Sequence, residues 1–517
     1  MTISILLQNF LTLDVAIGLA VGVLGGMTIG ALPGLSASMG VALLIPVSYG
    51  MNPVAALVML TSLYTAAIYG GSFTAILIHT PGTPSSAATA RDGYEFTKQG
   101  RGLEAVGWAT IASVIGGTIS GIALLLIAPP LARVALRFSS PEYFFLALFG
   151  LTIIGTLTAD SPLKGLASGA IGLVVALIGM DHTTGFARLT FGNFRLINGV
   201  ELIPALLGLF SISQMMLQAE QMATKHGLSK GQVMDDSTVI GGRFFPRLGE
   251  FIKQLPNIIR SGIIGVVVGI MPGAGGDIAC WVSYNEAKRA SKNPEEFGKG
   301  SVSGLVASEA ANNGVTGGAL VPMLTLGVPG SGVAAILLGG LLVHGLSPGP
   351  SLFTRDAAIV YPIMVGFLSA NILMGIVGCL AAKHVVKISI IPMNILTPFV
   401  IILSLIGAYA MNFSIFNVYI MMVFGLIGYF MRKNGFPTAP VVLALILGPM
   451  ADKGLSASIL MTRGQPLVLY FLSRPLSVLF MVMTVISIFA PLLMSRIRKA
   501  SETAKGVGAS AVTAEED

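Results

Sequence analysis

Residues 105–128 read AVGWATIASVIGGTISGIALLLIA, an apolar run without one charged side chain. About 20 such residues are needed for a helix to cross the hydrocarbon core of a bilayer. The stretches 357–380 and 395–411 have the same character, as does 467–494 apart from Arg474. In lipid every backbone polar group has to be paired internally, so runs of this length read as helices. The alternating ten-residue strands of a membrane barrel are not seen. Working outward, only 10% of the 517 residues are charged and 54% are hydrophobic, against roughly 25% charged in a soluble domain. The expected fold is therefore an all-α polytopic membrane bundle of about 11 to 12 transmembrane segments.

The net charge of +7 comes from 30 Lys and Arg against 23 Asp and Glu, with the basic residues in loops between apolar runs. That distribution encodes membrane topology and does not imply nucleic acid. Cys280 and Cys379 lie in apolar stretches without metal-ligand spacing and read as packing residues. The first basic residue is Arg91, so the first apolar segment lacks the basic start of a cleaved signal peptide and is expected to stay in the mature chain.

The two halves of the sequence match. GALPG at 30–34 pairs with GIMPG at 269–273, an offset of 239, and TPGTPS at 80–85 with VPGSGV at 328–333, an offset of 248. Pro141 and Gly150 face Pro398 and Gly407, and Gly169, Gly172 and Gly179 face Gly425, Gly428 and Gly435, at offsets of 257 and 256. One order of landmarks in both halves indicates a duplication. Charge orients the copies. Arg91, Lys98 and Arg101 follow the second motif of the first half, whereas Lys288, Arg289, Lys292 and Lys299 follow the first motif of the second half. Basic loops stay in the cytoplasm, so equivalent loops fall on opposite sides, as in an inverted repeat. The expected organisation is a first repeat over 1–217, a cytoplasmic connector over 218–254, a second repeat over 255–455, a C-terminal transmembrane helix within 456–499 and a disordered cytoplasmic tail over 500–517. The trace runs from a periplasmic N-terminus to a cytoplasmic C-terminus; Arg463 and Arg474, on the outer side, run against it.

Each half has two Pro-Gly interruptions within apolar sequence. Proline removes a helix hydrogen bond and glycine permits unwinding. Broken helices are tolerated at membrane depth where they are buried or line a cavity, and a symmetric set marks a transport site. Helix kinks or packing glycines are the plainer reading of any one motif. The candidate substrate-binding groups are Pro33, Gly34, Ser36 and Ser38; Thr80, Pro81, Gly82, Thr83, Ser85 and Ser86; Gly273, Gly275 and Gly276; and Pro329, Gly330, Ser331 and Gly332. Hydroxyls and exposed N–H groups at helix starts favour an anion such as a carboxylate. The motifs hold no Lys or Arg, so a di- or tricarboxylate needs a co-bound cation. Candidate cation ligands are Asp277, Glu309, Asn312 and Asn313, polar groups in apolar sequence. Their carboxylate and amide oxygens suit Na+, Glu309 alternatively carries a proton, Asp277 alternatively caps neighbouring N–H groups, and each Asn alternatively bonds between helices.

Catalytic and pump readings find little. No G-x-x-x-x-G-K-[ST] phosphate loop occurs. No tyrosine precedes Asp, as an intramembrane aspartyl protease requires, and His79, His182, His226, His344 and His384 make no recognisable pair with a serine. The chain is not expected to be an enzyme or to carry a cofactor other than co-transported Na+ or H+.

YGGSFTAILIHTPGTPSSAATARDGYEFTKQG at 69–100, PGAGGDIACWVSYNEAKRASKNPEEFGKGS at 272–301, ASEAANNGVTGGALVPMLTLGVPGSG at 307–332 and HGLSPGPSLF at 344–353 together resemble the large membrane subunit of the tripartite tricarboxylate transporter family, TctA. The resemblance covers about residues 15 to 450 and departs from the family pattern at Ser303-Gly304, where a Glu-Gly pair is usual. It implies cation-driven symport of citrate-like or other carboxylates across the bacterial inner membrane. It also implies a TctB-like small membrane subunit and a TctC-like periplasmic binding protein as partners. An elevator-like movement follows by analogy with other inverted-repeat carboxylate transporters. A passive channel or a non-transporting scaffold on the same repeat is the alternative.

Overall fold

The computed structural model describes residues 3–32, 34–157, 162–181, 184–224, 242–273, 275–382 and 393–489. Pro33, part of the connector, the tail, and His182, His226 and His384 lie outside them. Eight helices among the described residues are long and apolar enough to cross a membrane, and five shorter apolar helices accompany them. The only strands described are the two-residue pair Gly179–Met180 and Ala187–Arg188. The all-α membrane bundle read from the sequence is the observed fold.

The chain forms two compact units, each drawing on both halves of the sequence: Met1–Arg137 with Val200–Asn434, and Phe138–Gly199 with Gly435–Asp517. In the first unit the helices that matter here are α1 (Leu13–Ala31), α2 (Ala37–Ser48), α3 (Pro53–Ile78), α4 (Ala87–Lys98) and α5 (Gly102–Ala135). The second half supplies α6 (Leu248–Ile270), α7 (Gly275–Ala290), α8 (Val302–Leu326), α9 (Gly332–Val343) and α10 (Ala357–Ala381). All four Pro-Gly motifs fall where one helix stops and another begins.

Sequence dictates how α1 and α3 meet. Gly18, Gly22, Gly26 and Gly30 recur every four residues and form one bare stripe. Methyl groups there would lie 2.6, 2.3, 2.5 and 2.2 Å from the carbonyl oxygens of Ala55, Met59, Leu63 and Ala67 on α3. Only glycine allows that approach, the small-residue packing of membrane helices. The opposite face carries Ile17, Val21 and Leu24, all exposed. The second half repeats the device with Gly265 on Ala311 and Gly269 on Val315. Those two contacts are the Gly26–Leu63 and Gly30–Ala67 contacts shifted by 239 on one helix and 248 on the other. Gly70 on Met27 has its counterpart in Gly318 on Val266. The same glycine-on-backbone contacts thus recur in both halves at the offsets of the motifs.

α3 and α8 are the central pair, with α3 buried along its whole membrane-length window and α8 buried over most of its length. α2 packs on α9, while α7 packs on α4 and on the short 3-10 turn Pro84–Ser86 that precedes it. The first motif of each half therefore meets the second motif of the other.

In the second unit, buried Glu142 accepts hydrogen bonds from Ser139 N (2.9 Å), Ser477 Oγ (2.7 Å) and Arg474 Nε (2.8 Å). Arg474, which ran against the charge rule in the sequence, is held by this carboxylate. The apolar stretch 467–494 is not one helix. Leu467–Leu472 ends before Arg474, and a second helix covers Pro475–Phe489, because Pro475 has no N–H to continue the ladder. Helix Ala439–Met461 runs through residue 455.

Candidate functional site

The motif breaks are built locally from turn and capping chemistry. α1 ends at Ala31 and the chain turns through Gly34, whose φ of 86° suits glycine. Its counterpart Gly273 has φ of 77°. Ser36 then caps α2 by accepting from Met39 N at 3.3 Å. Gln218, on the helix Ser213–Thr224, donates to the Gly34 carbonyl at 2.8 Å, and its own side-chain oxygen is buried without a partner. Ser38 is half-buried on the first turn of α2.

The second motifs fold back on their own helices. Gly82 N donates to Gly71 O and Gly330 N to Ala319 O, each at 3.3 Å. A methyl on Gly82 would come 2.3 Å from Gly30 O, and one on Gly330 2.1 Å from Gly269 O. These are again equivalent contacts. Thr83 and Ser86 cap each other across the 3-10 turn, and Thr83 Oγ1 lies 3.1 Å from Ser85 Oγ. Ser331 caps α9 at Ala334 N, and Gly332 opens that helix. Thr80 and Pro81 are exposed, whereas Pro329 is buried.

One junction gathers candidate residues from two Pro-Gly motifs and from α8. At the start of α7, next to Gly275, a methyl on Gly276 would lie 2.9 Å from Ser85 Cβ and 3.3 Å from Asn312 Oδ1. Asn312 is 1% exposed, and neither atom of its amide has a hydrogen-bond partner. Leaving such a group unpaired costs about 1–3 kcal/mol. Asp277, next in sequence, is accessible in the first turn of α7.

One turn back on α8, Glu309 is fully buried. Its carboxylate accepts from Ser72 Oγ of α3 (2.7 Å), from Ser113 Oγ of α5 (2.8 Å) and from Thr89 Oγ1 of α4. The Asn312 Nδ2 faces this carboxylate, short of good hydrogen-bond geometry, while Oδ1 faces Gly276. Glu309 has no ion pair among the described residues. Asn313 turns to another surface, with Nδ2 3.6 Å from Met374 Sδ and Oδ1 unpaired. The structure thus brings Ser85, Gly276, Glu309 and Asn312 together and leaves Asn313 on a separate face of α8. Ser72, Thr89 and Ser113 were not picked out in the sequence, where an isolated hydroxyl in an apolar helix carries no sign of what it faces.

The equivalent place in the other half has a different filling. Tyr64 corresponds to Asn312 at the offset of 248, and its hydroxyl lies 3.0 Å from Ser331 Oγ, the counterpart of Thr83. That side is closed by a satisfied bond.

Beside the junction, buried Asp92 of α4 accepts from the backbone N–H groups of Gly298 (2.7 Å), Gly300 (3.0 Å) and Ser301 (2.8 Å) and from Tyr284 OH (2.8 Å). This ties the loop between α7 and α8 to the first half. A methyl at Gly304 would come 2.3 Å from Asp92 Oδ2. Ser303 bonds to Gln254 at 3.0 Å.

Residues 17–443 match the tripartite tricarboxylate transporter TctA family. The chain is 34% identical over 457 residues, 88% of its own length and 89% of the relative's, to an uncharacterised 52.8 kDa protein in the TAR-I ttuC' 3' region of Agrobacterium vitis. It is also 32% identical over 231 residues to an uncharacterised protein in the TAR-II ttuC' 3' region of Agrobacterium vitis, covering 45% of this chain and 95% of that one. No solved structure matches. A family match across most of the chain, together with the bundle of apolar helices, identifies this protein as a multi-pass membrane member of the tripartite tricarboxylate transporter TctA family, a family of transporter components.

Proposed function

We propose that the chain is the large membrane subunit of a secondary transporter that imports di- or tricarboxylates across the bacterial inner membrane. The observation that carries this reading is the unpaired, buried Asn312 amide at the point where α7 begins against Ser85. An amide offers two donors and an acceptor, and helix starts add N–H groups and partial positive charge. Together they suit a carboxylate that enters without a Lys or Arg partner. In this reading a periplasmic binding protein delivers the substrate and a small membrane subunit completes the complex. Uptake draws on a Na+ or H+ gradient, and the basic loops set the two repeats in opposite orientation, N-terminus outside and C-terminus inside. An elevator-like shift of the motif-bearing helices would expose the junction to each side in turn.

The test is uptake of labelled citrate, then of smaller and aromatic carboxylates, by cells expressing the three-component complex. Wild type should take up at least one of them. Asn312→Leu and Gly276→Val should lose that uptake by tenfold or more while remaining in the membrane in normal amount. Normal uptake by both variants would place the substrate elsewhere, and a chain that takes up none of the carboxylates would be a scaffold.

A further inference from the structure

We propose that a basic pocket where α5 and α6 begin binds the phosphate of an anionic phospholipid. The pocket is an open cavity of about 360 Å³ lined by Arg101, Glu104, Arg243, Phe245, Arg247 and Glu250. Both helices are long and apolar enough to cross a membrane, and the charges gather at their starts. The pocket therefore stands where hydrocarbon gives way to headgroups. It shares no residue with the junction at Gly276 and Asn312, so the proposal stands apart from the transport reading.

The chain fixes the walls of this pocket by close approach. A methyl on Gly107 of α5 would come 1.7 Å from the carbonyl oxygen of Phe244, in the segment that leads into α6. Gly242 turns that segment with a φ of 95°, and a methyl on it would meet Glu104 Cβ at 3.0 Å. Phe244 packs against the hydrophobic core of the bundle. Arg243 and Arg247 are thus carried on a segment anchored to α5.

Charge selects the ligand class. Arg101 is taken by Glu104, 2.9 Å from Nε and 2.6 Å from Nη2, and it also lies over the Phe96 ring. Glu250 accepts from the Arg247 backbone N–H at 3.1 Å. Neither Arg243 nor Arg247 has an ion pair among the described residues. Three arginines against two carboxylates leave one positive charge in the pocket, which balances the single negative charge of a phosphodiester. Guanidinium groups present paired N–H donors that match two phosphate oxygens, and basic pockets at the ends of membrane helices suit lipid headgroups.

The apolar side of the pocket distinguishes a lipid from a free phosphate. Phe245 and Leu248 are exposed beside the arginines, and Ile252, Ile259, Ile263 and Val267 continue one exposed row along α6. An acyl chain attached to a phosphate in the pocket would lie along that row. A soluble phosphate would leave it unused.

The test uses the purified, delipidated full-length chain in neutral detergent. Thermal midpoints are read against added phosphatidylglycerol, phosphatidylcholine or inorganic phosphate, and retained lipid is counted by native mass spectrometry. A ligand held only by the folded state raises the midpoint with concentration. Wild type should respond saturably to phosphatidylglycerol, with a preference over phosphatidylcholine of about tenfold or more, and should not respond to inorganic phosphate. The double variant Arg243→Gln with Arg247→Gln should lose that preference yet melt as wild type without lipid, because both side chains are exposed. Arg247→Lys keeps the charge without the planar fork and should cost about two- to fivefold in affinity. Lys292→Gln, exposed on the loop after α7, should change nothing. An undiminished preference in the folded double variant overturns the site, as does an equal loss in Lys292→Gln, which would mean general surface charge. Saturation by inorganic phosphate alone overturns the lipid as its ligand.

Discussion

Tyr64 and Asn312 occupy equivalent places in the two halves, 248 residues apart, yet the Tyr64 hydroxyl meets Ser331 at 3.0 Å while neither atom of the Asn312 amide meets a protein partner. An unpaired amide on one side of a symmetric frame is what the proposed carboxylate site requires. Removing the orphaned group should therefore stabilise the fold and abolish transport together. Asn312→Leu is expected to gain about 1–3 kcal/mol of stability, read as a higher melting temperature in detergent, with uptake lost. A variant that melts lower and still transports would contradict this.

The close glycine contacts make a second prediction. Gly82→Ala and Gly330→Ala push a methyl to within 2.3 and 2.1 Å of a backbone oxygen on the neighbouring helix, and backbone cannot step aside cheaply. Both should abolish monodisperse protein in fluorescence-detected size-exclusion chromatography. Gly25→Ala on α1, with no atom within 4 Å of the added methyl, should elute as wild type.

Asp92 supplies a third. Its Oδ1 collects three backbone N–H groups, so Asp92→Ala orphans all of them, whereas Asp92→Asn keeps an acceptor in place. The expected losses are about 1–3 kcal/mol for Asn, where charge-assisted bonds become neutral ones, and clearly more for Ala. Denaturation midpoints check the order; equal losses would mean that the loop does not depend on these bonds.

How far the sequence reached can be judged from these residues. Gly30, Gly82, Gly269 and Gly330 were legible because proline and glycine act on the backbone locally, and because two copies display the pattern twice. Glu309 and Asn312 were legible because polar groups stand out in apolar sequence. Ser72, Thr89 and Ser113 were not, since a hydroxyl that serves a distant carboxylate looks like one that bonds its own helix, as Thr61 does. Gln218 lay at the edge of what reads as a polar connector, and its bond to Gly34 depends on a tertiary approach that no local pattern encodes. The break before Pro475 was hidden by the strong apolar run on either side.

Glu142 and Arg474 give a fourth prediction. Arg474→Ala leaves a buried carboxylate without its cation. The expected cost is roughly 2–3 kcal/mol, below the ~3–5 kcal/mol of a fully buried pair because about a third of the arginine stays accessible. The double variant Glu142→Gln with Arg474→Met should recover most of it. Thermal midpoints of the three proteins decide the matter, and an equally low double variant would count against the pairing.

The central claim is that this chain couples carboxylate movement to an ion gradient, and the most direct measurement is the accumulation ratio in liposomes. The chain, its small membrane subunit and its binding protein are reconstituted together, and labelled carboxylate is followed under an imposed Na+ gradient. The account predicts inward accumulation well above equilibrium that collapses when the gradient is dissipated and is absent in Glu309→Gln. Uptake that only equilibrates across the membrane, whatever the gradient, would make the protein a channel and contradict it.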